Sequence, residues 1–134
     1  MKLTLRQLLD AEACAPQVVL FRSLFGDAVD VTAEECVAVS DKFHWDFAAN
    51  QFLTYAELAE YDRVRAPALA EYESFSAAAW AEYQCVRAAA RDEPERVTAA
   101  LNEYWRAEAP EWDKLQRVLA AAFGRLYSTD AQPI

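Results

Sequence analysis

Residues 59–69 read AEYDRVRAPAL, residues 70–80 AEYESFSAAAW and residues 81–91 AEYQCVRAAAR. After one deletion the pattern resumes as DEPERVTAAL (92–101), NEYWRAEAPEW (102–112) and DKLQRVLAAAF (113–123). Six copies of an eleven-residue unit therefore run end to end, with a consensus near A-E-Y-x-R-V-x-A-x-A-W. Eleven residues complete three helical turns at about 3.67 residues per turn, so equivalent positions stay nearly in line along a helix. Tyr61, Val64, Leu69, Tyr72, Phe75, Trp80, Tyr83 and Val86 then form one apolar stripe. A second comprises Val97, Leu101, Tyr104, Trp112, Leu115, Val118 and Phe123. The stripe loses its phase at the deletion near Pro94, where Asp92 is placed to cap a new helix. This predicts a turn between two long helices folded back on each other, the first capped by Thr54 with Glu57. Pro67 and Pro110 each remove a backbone hydrogen bond and mark breaks or kinks. One helix over 67–91 is roughly 38 Å long.

Upstream, the chain reads as a small helical module. Thr4 and Gln7 have capping-box spacing ahead of Leu8 and Leu9, and Pro16 is placed to open a second helix. Val18, Val19, Leu20, Phe21, Leu24 and Phe25 make that helix apolar on most sides, so it is expected at the centre of the module, with Gly26 as its left-handed cap. The alternation in residues 27–31 fits either a very short strand or an extended turn. Thr32 and Glu35 form a second capping box before Cys36, Val37 and Val39. Phe43, Trp45, Phe47, Phe52 and Leu53 supply another aromatic-rich helix or turn. The expected fold is all-α: a helical module at 1–53, a long antiparallel helical hairpin with proline kinks at 54–127, and a flexible tail at 128–134.

Composition narrows the chemistry. Two glycines in 134 residues leave no room for a phosphate loop or a dinucleotide fingerprint, and argue against a sheet with many turns. A single histidine, His44, excludes a site built on several imidazoles; it belongs with the aromatic cluster of Phe43 and Trp45. Cys14, Cys36 and Cys85 are widely spaced and form no CxxC pair, so they read as reduced thiols of a cytoplasmic protein. There is no Glu-x-x-His pair for a di-iron bundle and no calcium-loop spacing. No cofactor, metal or catalytic role is expected.

Charge carries the functional signal. The net charge is −9, which argues against direct binding to nucleic acid or an anionic membrane. Between residues 27 and 46 six acids, Asp27, Asp30, Glu34, Glu35, Asp41 and Asp46, meet one base, Lys42. Such a run is either a solvated face, helped by helix N-termini that favour acids, or a patch matched to a basic groove on another protein. Glu60, Glu71, Glu82 and Glu93 recur at one repeat position, roughly 16 Å apart along an ideal helix. Part of the repeat's charge is compensated at i, i+3 by Glu60 with Arg63, Glu93 with Arg96 and Glu103 with Arg106. Trp80, Trp105 and Trp112 offer a different reading, in which tryptophans left outside the seam drive self-association into a homodimer or a structural assembly.

The module Ala13-Cys14…Gln17…Leu20-Phe21…Phe25-Gly26-Asp27…Val31-Thr32…Trp45…Ala48-Ala49…Leu53, followed by A-E-Y-x-R-V-x-A-P-A units, resembles small proteins encoded by phages and prophages. The resemblance extends to about Tyr127. It departs from the regular pattern at 92–101, and the proline persists only at Pro67 and Pro110. It implies a setting inside a host bacterial cell and brings no site residues with it. Small acidic phage proteins without enzyme motifs often look like inhibitors of host defence, anti-CRISPR proteins among them. The expectation is therefore a non-catalytic inhibitor that sets Asp27, Asp30, Glu34, Glu35, Asp41, Asp46, Glu60, Glu71 and Glu82 against a basic, nucleic-acid-binding host protein.

Overall fold

The computed structural model describes residues 1–129. In chain order it runs β1 (Lys2–Thr4), α1 (Leu5–Asp10), α2 (Ala15–Phe25), β2 (Ala28–Asp30), α3 (Ala33–Ala38), α4 (Trp45–Phe52), α5 (Tyr55–Ala89) and α6 (Pro94–Thr129). The fold is all-α, with α5 and α6 packed together and one sheet of two three-residue strands. Thr54 caps α5 reciprocally: its N–H donates to Glu57 Oε1 at 2.9 Å, and the Glu57 N–H donates to Thr54 Oγ1 at 3.3 Å. Neither proline ends its helix; α5 runs unbroken for 35 residues, about 52 Å, through Pro67, and α6 for 36 through Pro110. The cap of α6 is Glu93 rather than Asp92. Pro94 is the first helical residue, where its missing N–H costs nothing, and the Glu93 carbonyl accepts from Arg96 and Val97. Among the described residues, no helix is long and apolar enough to cross a membrane. The expected tail at 128–134 starts inside α6, which holds Ser128 and Thr129; its remaining positions lie outside the described residues.

The chain divides into two compact units, Met1–Arg65 with the stretch from Gln116, and Ala66–Leu115. The first unit therefore extends past residue 53, because the beginning of α5 and the end of α6 are fastened to the N-terminal module. The Tyr61 hydroxyl donates to Asp46 at 2.8 Å, the Tyr127 hydroxyl to the Lys2 carbonyl at 2.8 Å, and Ser128 Oγ to the Val31 carbonyl at 2.6 Å. A run of rings threads the core from Phe21 through Phe25, Phe43, Trp45 and Phe123 to Tyr127, with centroids 5.3–6.2 Å apart. Trp45 is buried and its indole N–H donates to the Ser40 carbonyl at 2.8 Å.

Four short helices form in this unit, with differences from the sequence reading that have physical causes. The α1 capping box is complete, whereas Thr32 accepts only the Glu35 N–H, so half of the second box is made. Helix α2 is not central. Phe21 is its one buried residue, and Val19 and Leu24 are 67% and 41% exposed, because the core is already filled by Trp45 and Ala49 of α4 and by α6. Gly26 has φ 73° and ψ −128°, the first central position of a type II′ turn rather than a left-handed helix cap. That turn delivers β2, whose Ala28, Val29 and Asp30 pair antiparallel with Thr4, Leu3 and Lys2. Gly124 is fixed by a close approach: a Cβ there would lie 2.7 Å from the Thr32 carbonyl oxygen.

In the second unit, repeat 70–80 lies antiparallel to repeat 102–112, and the contacts are reciprocal. Tyr72 meets Trp112 edge to face at 5.3 Å, and Tyr104 meets Trp80 in the same manner at 5.2 Å. The Tyr72 hydroxyl donates to Glu108, while the Tyr104 hydroxyl and Ser76 Oγ share a hydrogen bond of 3.2 Å. In each half, therefore, the third repeat residue contacts the seventh and eleventh of the other. The repeat relates the two strands of the hairpin by a local two-fold axis.

Candidate protein-interaction site

The β2–α3 segment places most of the acidic candidates. Asp27 follows Gly26 in the turn, and its carbonyl accepts from the Leu5 N–H at 2.8 Å, which leaves its carboxylate in solvent. Asp30 ends β2 opposite Lys2 in the strand register. Thr32 caps α3, so Glu34 and Glu35 fall in the first turn, where the helix dipole favours negative charge. Asp41 lies just beyond α3, with Lys42 Nζ 4.0 Å away. All five side chains are exposed. Among the described residues, Asp27, Asp30, Glu34 and Glu35 take part in no ion pair.

The other four candidates have other surroundings. Asp46 is half-buried; it accepts from Arg65 Nε at 3.0 Å as well as from Tyr61, and so braces α4 against the start of α5. Glu60 is held by Arg63 at 2.6 and 3.0 Å, and those hydrogen bonds keep its carboxyl below the usual range. Glu71 is bound by Lys114 at 2.7 Å across the hairpin. Glu82 is exposed and carries no ion pair among the described residues, whereas Glu93 pairs with Arg96 at 3.2 Å. The five candidates thus lie on one stretch of the first unit, and three of the remaining four are paired with cations, Asp46 with Arg65, Glu60 with Arg63 and Glu71 with Lys114.

Two features escaped the sequence reading. In the first unit, Leu3, Leu8, Phe21, Val31, Cys36, Trp45 and Phe123 help to line an apolar cavity of about 70 Å3. Gln17 borders it as a strap, its amide donating to the Lys42 carbonyl at 3.0 Å and accepting from the His44 N–H at 3.1 Å. In the second unit, Ala79, Ala99, Ala100 and Ala107 line a groove with Glu82 and Glu103. The alanine-rich positions of the repeat are the signal for the groove; the cavity draws on seven elements and leaves no local pattern.

The thiols are all free. Burial, and then the neighbouring Glu35 charge, pushes the Cys36 thiol up to about 12, which leaves almost no thiolate at neutral pH. Cys14 and Cys85 are exposed. His44 is exposed and its backbone, not its ring, makes the bond to Gln17. No three His, Cys, Asp or Glu side chains among the described residues are grouped to hold a metal ion. Comparison with protein-family models, curated proteins and solved structures finds no match for the chain.

Proposed function

We propose that this protein is a non-catalytic inhibitor that docks Asp27, Asp30, Glu34, Glu35 and Asp41 onto a basic, nucleic-acid-binding protein and covers its phosphate-binding surface. One observation carries this reading: five exposed carboxylates fall within fifteen residues, and among the described residues only Asp41 takes part in an ion pair, with Lys42 at 4.0 Å, while Lys2 stands opposite Asp30 in the strand register. Carboxylates neutralised within their own fold project little field, whereas unpaired ones steer an oppositely charged partner and raise its association rate. A groove built for phosphates offers the complementary charge. The resemblance to phage proteins supplies the setting, a host defence protein such as a CRISPR effector in the bacterial cytoplasm.

The test is a tagged pull-down from a bacterial lysate containing defence systems, at low and at high salt, beside a variant with Asp30, Glu34, Glu35 and Asp41 changed to lysine. A basic protein should be recovered, released by salt and by its own nucleic acid, and lost with the variant. Recovery unchanged by the four reversals would remove this placement of the site.

A further inference from the structure

Three tryptophans of the second unit are packed on one side only. Trp80, Trp105 and Trp112 remain 43%, 57% and 48% exposed, although each touches a tyrosine ring of the hairpin. Trp105 and Trp112 are seven residues apart and so share one stripe of α6. Trp80 and Trp112 occupy the same repeat position on the two helices. For antiparallel helices the relating two-fold stands perpendicular to the hairpin plane, so both indoles emerge on the same face. Glu82, about 200° around α5 from Trp80, points away from that face.

We infer that this tryptophan face binds a second copy of the chain, hairpin against hairpin, as a four-helix homodimer. The two-fold about the face's normal relates Trp80 to Trp112, whereas on α5 the repeat position of Trp105 is held by Glu73; a two-fold dimer requires a surface complementary to itself. A copy turned over onto it sets indoles of one hairpin against those of the other, extending the Tyr–Trp contacts already made within each hairpin. The three side chains leave on the order of 350 Å2 of indole in water. That is nearly half of the roughly 800 Å2 per partner that a stable complex buries, and it is supplied by the residue type that most often dominates such interfaces. Charge works against the pair, since each copy carries −9. Salt therefore strengthens this association, whereas it weakens docking to a basic partner.

The test is the solution mass of the whole chain by light scattering and sedimentation, over a range of concentration at low and high salt, with tryptophan emission followed in parallel. The expected result is twice the 15.1 kDa chain mass, favoured by salt and accompanied by a blue shift. Trp105→Glu, at the most exposed of the three, should return the chain to a monomer with unchanged helical circular dichroism, while Glu82→Gln on the other side should leave the dimer intact. A monomer at every concentration in high salt would overturn the inference and assign the face to another occupant. So would a dimer indifferent to Trp105→Glu. If that variant does not fold, the wild-type mass and its salt dependence still decide. Neither result bears on the acidic segment, whose own test reads binding lost by charge reversal.

Discussion

At Asp46 a single carboxylate oxygen serves two donors, the Tyr61 hydroxyl at 2.8 Å and Arg65 Nε at 3.0 Å. Tyr61 is 1% exposed, so its hydroxyl has no water to turn to when that acceptor is removed. Leaving a buried donor unsatisfied costs about 1–3 kcal/mol. Asp46→Ala is therefore expected to lower unfolding stability by about 2 kcal/mol, read from the midpoint of a urea titration. Glu34→Gln, at a residue that is exposed and in no ion pair among the described residues, should leave the stability within about 0.5 kcal/mol. The two acids look alike in the sequence, both within a run of negative charge. What separates them is a contact with residues fifteen and nineteen positions away, which no local pattern encodes. An Asp46→Ala variant as stable as the wild type would return this residue to the solvent-facing set.

The long helices show what periodicity discloses and where it blurs. The eleven-residue phase is followed closely: the third residue of the repeat is turned inward at Tyr61, Tyr72, Tyr83, Tyr104 and Leu115. The expected stripe was too wide, however. The seam is centred on the third, seventh and tenth positions, as at Tyr72, Ser76 and Ala79, and the eleventh lies about 80° around from the third. Hence Trp80 and Trp112 sit on the rim, while Ser76 and Glu108, polar residues at a variable position, enter the seam. Hydropathy alone ranks tryptophan above serine and so misplaces both. Glu108 is the costly member: Oε1 accepts from Tyr72, but Oε2 is buried without a partner among the described residues. Tyr72→Phe would strip the carboxylate of its bond and should cost about 2 kcal/mol. Adding Glu108→Leu removes both polar groups together and should restore stability to within about 1 kcal/mol of the wild type, or above it. A thermal double-mutant cycle measures this, and strict additivity of the two changes would show that the pair does not couple α5 to α6.

Across the whole molecule most carboxylates stay in water, whereas the Cys36 thiol and the Tyr61 and Tyr72 phenols are wholly or partly withdrawn from it. Burial, followed by the Glu35 charge, raises Cys36 from 9.0 to about 12. Burial, followed by the hydrogen bond to Glu108, raises Tyr72 from 10.0 to about 12. Burial and then Asp46 push Tyr61 up further still. Each group is neutral when protonated and holds its proton more tightly folded than unfolded. Its contribution to stability is thus complete below the unfolded value, near 9 for the thiol and 10 for the phenols, and drains away as pH rises through the folded value. The melting temperature should be insensitive to these groups from about pH 7 to 9 and should fall increasingly between about pH 9 and 12. Because the cost of ionising Tyr72 vanishes with its hydroxyl, Tyr72→Phe should begin from a lower plateau yet decline less steeply above about pH 10. Calorimetric melts over that range decide the matter. A variant that declines as steeply as the wild type would show that Tyr72 ionises in the folded chain as readily as in the unfolded one, and that the seam admits water.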